Sequence, residues 1–309
     1  MKAAYIKEYG SSEIIKIGET SMPVISDGKV IIKVIAASLN PIDSKIRNGL
    51  LKGVTSIDFP KILGLDLSGT VDKVLDNNSK FKKGDEIYGQ ADFFNGGGSI
   101  AEYTTANINS ISTKPQNINF IEAAALPLVA VSAYQAIVEN MHLKKDQKIL
   151  IHGGAGGIGS IAIQIAKSLG AFVSTTVSSK DVDFVKSLKV DEIIEYTKSN
   201  FVETIKDYDS VLDLIGGDVY LKSFSVLKSG GVIVSLVEQP NSEMSAEHNV
   251  NARYQMTKVN NLALEKITEL VESNKLKILL DSVFNIDKTI DAFQQLEVKH
   301  PKGKVVIEI

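Results

Sequence analysis

The sequence predicts an α/β protein: a doubly wound parallel sheet joined to a β-rich second domain. Three observations carry that class. From Lys148 onward the chain alternates short apolar strands with helical patterns, as a parallel sheet covered on both faces requires. A glycine-rich turn, Gly153-Gly154-Ala155-Gly156-Gly157-Ile158-Gly159, stands between the first of these strands and the helix that follows it. The first ~110 residues carry instead the alternation and turn chemistry of strands and loops.

Bulk properties narrow the function. The 309 residues suit two packed domains, and a composition 44% hydrophobic and 23% charged supports a sizeable core. Lys plus Arg is 34 and Asp plus Glu is 37, a net charge of 34 − 37 = −3, so no global basic field favours a nucleic-acid surface. No run of about 18 uncharged apolar residues suggests a membrane span. The stretch Met1-Lys2-Ala3-Ala4-Tyr5-Ile6-Lys7-Glu8 lacks the apolar segment of a secretory signal, so the expected location is cytoplasmic. The chain has no cysteine, which removes disulfides, thiolate catalysis and every cysteine-ligated zinc site.

The elements follow in order. Val30, Ile32, Val34 and Ala36 alternate as in a half-buried strand, and residues 67–71 form another. Asn77-Asn78-Ser79 and Lys82-Lys83-Gly84-Asp85 are turn chemistry. Residues 122–140, rich in Ala, Leu and Val, read as helical, with Pro127 a boundary or kink. The strands of the second half are Ile149-Leu150-Ile151, residues 172–177, Ile193-Ile194, residues 211–215 and residues 232–237. Leu262, Glu265, Lys266 and Glu269 belong to an amphipathic helix carrying Ile267, Leu270 and Val271. Residues 305–309 are strand-like and are expected to return to the first domain.

The glycine turn carries the chemistry. Gly154, Gly156 and Gly159 have the G-x-G-x-x-G spacing, after an apolar strand and before a helix whose Ile158, Ile161, Ala162, Ile165, Ala166 and Leu169 fall on one face. Gly154 makes the tight turn, Gly156 lets a pyrophosphate approach the backbone, and Gly159 lets the helix pack close. The helix N-terminus then offers free N–H groups and a positive dipole end to the phosphates. The stretch from Gly154 through Ala155, Gly156, Gly157 and Ile158 to Gly159 is therefore the expected dinucleotide site; an ordinary glycine turn is the alternative. At the end of the second strand stands Val177-Ser178-Ser179-Lys180 rather than the acid of an NAD-preferring site. Ser178 and Lys180 suit a 2′-phosphate and point to NADPH, although Ser179 could equally cap a helix.

Other segments extend the pattern along the whole chain: Ser38-Leu39-Asn40-Pro41-Ile42-Asp43-Ser44-Lys45, Leu63-Gly64-Leu65-Asp66, Gly98-Ser99-Ile100-Ala101-Glu102-Tyr103, Ala123-Ala124-Ala125-Leu126-Pro127, Ser132-Ala133-Tyr134-Gln135-Ala136 and Gly303-Lys304-Val305-Val306. With the glycine turn, Gln164 and Lys167, they resemble the quinone oxidoreductase (zeta-crystallin-like) signature of the medium-chain dehydrogenase/reductase superfamily. The N-P-x-D-x-K form is similar to the alkenal/enone reductase branch.

The resemblance implies a GroES-like catalytic domain over 1–120, completed by about 276–309, and a Rossmann NADP-binding domain over 121–275, with the active site in the cleft. It places Asn40 where zinc-dependent relatives have a ligand Cys, and Leu65 where they have a ligand His. With no cysteine, zinc-assisted alcohol oxidation gives way to direct hydride transfer to an activated C=C or a quinone. Lys45 would lie beside the nicotinamide or phosphates, Asn40 beside the nicotinamide or substrate carbonyl, and Ser132 near the nicotinamide. Tyr196 would pack beside the adenosine phosphate, and Leu236 and Val237, at the end of the fifth strand, would line the nicotinamide through their backbones. The plainer readings are a surface loop lysine, a turn residue before Pro41, a helix-interior hydroxyl and a strand-end core tyrosine. Asn40 and Lys45, in a polar loop, are expected to matter to turnover more than to stability. His142, His152, His248 and His300 show no metal spacing, and His152 is expected to hold the glycine turn. No proton donor stands out, and water can serve. The resemblance further implies a homodimer built on an edge strand of the Rossmann sheet, for which residues 278–284 are the candidate. An enoyl-thioester reductase and a non-catalytic, crystallin-like nucleotide binder are the competing functions.

Overall fold

The computed structural model describes residues 1–54, 57–75, 80–298 and 301–309; the expected turn Asn77-Asn78-Ser79 and His300 lie outside the described residues. The chain divides into two units. The first comprises Met1–Leu128, Val259–Ser273 and Ile278–Ile309, and the second Val129–Lys258 and Asn274–Lys277. The first boundary falls at Leu128 rather than 120, and Val259–Ser273 joins the first unit ahead of the return expected at about 276. The helix Phe120–Ala124 packs on the strands Lys29–Ser38 and Asp66–Val74, and the helix Asn261–Glu272 packs on the strand Ile111–Thr113. Both segments therefore belong with the β-rich unit.

The first unit holds a three-stranded sheet (Lys16–Glu19, Lys2–Ile6, Lys61–Ile62) and a seven-stranded one. At the centre of the larger sheet, Lys29–Ser38 buries Val30, Ile32, Val34 and Ala36 as its alternation predicts. Lys304–Glu308 pairs antiparallel with it, so the tail does return to the first unit. One core lies around Ile6, Leu63, Ile100, Phe293 and Ile307, and a second around Ile32, Leu67, Phe81, Ile87 and Ile111.

The second unit holds a six-stranded sheet in which every pairing is parallel. Its spatial order is Glu192–Glu195, Phe172–Val177, Lys148–His152, Tyr208–Asp213, Leu227–Ser235 and Asn251–Tyr254. In chain order these are third, second, first, fourth, fifth and sixth, the doubly wound dinucleotide-binding order. The order reverses between Lys148–His152 and Tyr208–Asp213. A crevice outside the carboxyl ends of those two strands is where such sheets take a ligand.

The helical stretch 122–140 has the boundary expected at Pro127, which cannot donate the hydrogen bond that would continue Phe120–Ala124; Pro127–Tyr134 follows, and then a π-helical turn, Gln135–Asn140. Two expectations are corrected. The fifth strand ends at Ser235, leaving Leu236 and Val237 just beyond it. The apolar run 278–284 is not an edge of the Rossmann sheet. Its strand, Leu280–Asn285, pairs with Lys304–Glu308 at the edge of the first unit's sheet, where Leu280 and Ile278 find Ala36 and Val306.

Candidate active site

The glycine turn is built as its spacing requires, with one reassignment. The residue with left-handed backbone is Gly153 (φ +74°), so Gly153 and not Gly154 makes the turn. Gly154 is needed for space: a Cβ there would stand 2.1 Å from Thr175 Oγ1 on the neighbouring strand. At Gly159 a Cβ would stand 2.2 Å from the Gly153 carbonyl oxygen, which fixes the close seating of the helix Gly157–Ser168. Gly156 differs, since a Cβ there would meet only the Gly153 oxygen at 3.4 Å. Among the described residues, no packing demands this glycine. The first turn of the twelve-residue helix, Gly157, Ile158 and Gly159, supplies N–H groups without intrahelical acceptors.

His152 ends the first strand, wholly buried, with Nδ1 3.0 Å from Thr176 Oγ1 and Nε2 3.0 Å from Ser223 Oγ. Its ring meets Phe201 edge-on at 4.8 Å. Burial pushes its pKa down from 6.5 to about 4, so at neutral pH it is an uncharged strut under the turn.

At the end of the second strand, Ser178 Oγ donates to Asp181 Oδ2 at 2.6 Å. Its single hydroxyl hydrogen is thus committed, and Lys180, two residues on, is exposed. Tyr196 follows the third strand and is 62% exposed, not a core tyrosine; its N–H donates to the Val177 carbonyl at 3.1 Å. The carboxyl ends of the parallel strands thus gather the glycine turn, Lys180, Tyr196, Leu236 and Val237 on one edge of one sheet. Beside them stand residues that sequence reading missed, Asp213 and Ser235. The signal available was an acid inside the apolar run Val211-Leu212-Asp213-Leu214-Ile215, since a buried carboxylate persists only with partners.

Ser132 is buried in the helix Pro127–Tyr134, with its Oγ 2.8 Å from Thr257 Oγ1, and its carbonyl accepts from Gln255 Nε2 at 2.9 Å. Its hydroxyl ties that helix to the segment after the sixth strand of the sheet.

In the first unit, Asn40 and Lys45 are not loop residues. Asn40 is the N-cap of the helix Pro41–Arg47, and Lys45 is exposed on that helix. Asn40 is 1% exposed. Its Nδ2 donates to Asp66 Oδ2 at 2.9 Å, its Oδ1 accepts from Lys304 Nζ, and its backbone N–H donates to Asp43 Oδ2 at 2.7 Å. Gln90 Nε2 and the Leu128 N–H complete the shell of Asp66, at 2.8 and 3.2 Å. Burial raises the Asp66 carboxyl, pushes that of Asp43 up to about 7 and lowers the Lys304 amine. Asn40 thus bridges two buried ionisable side chains, Asp66 and Lys304, so its loss is expected to affect folding as well as turnover. Leu65, at the other expected zinc-ligand position, packs with Ile46 and Phe93. A carboxamide already hydrogen-bonded to Asp66 and Lys304 and an aliphatic side chain do not form a zinc site.

Comparison with known proteins agrees with this geometry. The family model described as "Alcohol dehydrogenase GroES-like domain" matches residues 26–116, and the one described as "Zinc-binding dehydrogenase" matches residues 188–307. The chain is 37% identical over 317 aligned residues to a 2-methylene-furan-3-one reductase of Solanum lycopersicum, covering 99% of this chain and 79% of the relative. It is 36% identical, with the same coverage, to an NADPH-dependent alkenal/one oxidoreductase, chloroplastic, of Arabidopsis thaliana. The solved quinone oxidoreductase of Coxiella burnetii superposes with a TM-score of 0.91 at 34% identity, over 100% of this chain and 99% of that one. The chain belongs to the medium-chain dehydrogenase/reductase superfamily, in its zinc-independent quinone and alkenal oxidoreductase branch.

Proposed function

We propose that this protein is an NADPH-dependent reductase of α,β-unsaturated carbonyls and quinones that works without zinc, as a homodimer. The observation that carries the reading is the glycine turn at the switch point of the six-stranded sheet, where Gly156 is left open by the protein's own packing. NADPH, when bound, supplies the hydride. The chain's part is to hold and orient: the Gly156–Gly159 backbone takes the pyrophosphate, Lys180 the 2′-phosphate, Tyr196 the adenosine side, and the backbone of Leu236 and Val237 the nicotinamide. The proton that completes reduction of an enone comes from water, since the enolate formed by hydride addition needs no tuned acid. Relatives named for alkenal/one and furanone reduction favour this reading over a thioester reductase or a non-catalytic binder.

The test is NADPH oxidation with a quinone, a short enal and an enoyl-thioester in parallel. Turnover of the quinone or the enal above the thioester is expected, and activity confined to the thioester overturns the substrate class. Lys180→Ala should weaken NADPH about tenfold and NADH less than about twofold, because only the former loses a charge-assisted contact. Equal losses for both cofactors would remove Lys180 from the 2′-phosphate site.

A further inference from the structure

We infer that Asp213 and Ser235 are positioning residues for the nicotinamide half of NADPH: one carboxylate and one hydroxyl hold the two loops that leave the fourth and fifth strands, so that Leu236 and Val237 present a fixed backbone wall to the ring. The inference rests on the cofactor reading above.

Asp213 is the last residue of its strand and wholly buried. Its Oδ1 accepts from the Ile215 and Gly216 N–H groups, both at 3.0 Å, and so shapes the first loop. Its Oδ2 accepts the Ser235 hydroxyl at 2.7 Å. That bond orients Ser235 Oγ with its lone pairs toward the second loop, where it accepts from the Val237 N–H at 3.1 Å and the Glu238 N–H at 2.9 Å. The Leu236 N–H donates to the Asp213 carbonyl at 3.2 Å. Glu238 Oε1 accepts from the Gly217 N–H at 2.8 Å and closes the ring of contacts between the loops.

Every group that faces Asp213 in this ring is a donor, and that is a physical reason for an acid here. An asparagine would turn an NH₂ toward one of them, either Ser235 or the loop N–H pair. The first loop leaves the strand next to the point where the strand order reverses and the second leaves the strand beside it, so their backbone forms one wall of the crevice there. Ser235 and Asp213 reach the ligand only through that backbone. Their loss should therefore affect the ring-binding half of the cofactor and leave the adenosine half alone.

The experiment compares the parent with Ser235→Ala, Ser235→Thr and Asp213→Asn. It measures binding of NADPH and of adenosine 2′,5′-bisphosphate, which lacks the nicotinamide, together with kcat and the circular dichroism melt. Ser235→Ala and Asp213→Asn are expected to weaken NADPH about tenfold and to lower kcat by at least as much, with the bisphosphate unchanged within about twofold. Ser235→Thr, which keeps the hydroxyl, should restore both. Equal weakening of the two ligands, unchanged NADPH binding and kcat, or failure of both Ser235→Ala and Asp213→Asn to fold would each overturn the inference. Failure of the parent to bind either ligand would instead overturn the cofactor reading beneath it.

Discussion

Asn40 illustrates how one side chain is fixed by contacts its neighbours in sequence do not reveal. Its carboxamide joins Asp66 to Lys304, and both are buried. Asn40→Ala would leave a buried carboxylate and a buried ammonium each short of a partner, at a cost of about 3 kcal/mol. Urea unfolding should show that loss, while Lys45→Ala, on an exposed face, should stay within about 0.5 kcal/mol of the parent. A parent-like Asn40→Ala would mean that the cluster rearranges at no cost. His152 gives a pH signature. The unfolded chain protonates it as pH falls below 6.5, whereas the folded protein resists until about 4. The fold therefore binds fewer protons in that window, and stability is full above it and declines through it. The decline is on the order of 3 kcal/mol for this residue. His152→Gln should make the unfolding free energy less steep between pH 7 and 4.5, and an unchanged slope would show that the imidazole ionises without hindrance.

At the level of the element, the turn before the helix Gly157–Ser168 separates two demands that one motif combines. Gly159 answers to packing, since a Cβ there would sit 2.8 Å from Gly154 Cα as well as against the Gly153 oxygen. Gly159→Ala should push the helix from its seat, lower stability by about 1–3 kcal/mol and weaken NADPH as a consequence. Gly156 answers to the ligand. Its φ of −75° suits alanine, so Gly156→Ala should melt like the parent yet bind NADPH at least tenfold more weakly, a methyl now occupying the approach. Melting curves and NADPH titrations of the two variants make the comparison, and a Gly156→Ala variant with parental affinity would show that the phosphates do not pass there.

For the whole molecule, the question is assembly. The strand Asn251–Tyr254 has a partner on one side only among the described residues, and it ends the six-stranded sheet. Tyr254 is partly exposed there, and Met256, two residues on, is 74% exposed. An unpaired edge beside exposed apolar side chains is a template for a second copy. Light scattering at micromolar concentration should therefore give a dimer mass, and Tyr254→Asp combined with Met256→Asp should shift it toward monomer. A monomeric parent would remove the homodimer from the proposal. The edge strand Leu280–Asn285 lies in the first unit's sheet, and the dimer is not assigned to it.

Short-range pattern decides part of this fold. The apolar strands, the helix after the glycine turn, the spacing of Gly154, Gly156 and Gly159, and the return of the tail strand were all legible. Each follows from the period of side-chain burial or from backbone freedom at one residue. Strand ends were read within a few residues, but the sheet to which 278–284 belongs was not, because an apolar run carries no record of its partner. The contacts of Asn40, Ser132, Asp213 and Lys304 follow instead from long-range packing. Asn40 and Lys304 meet across 264 residues of chain, and Asp213 and Ser235 across 22. A polar residue in a buried place is stable only through the partner it finds. That partner is chosen by the packing of strands, and no local pattern in this sequence encodes it.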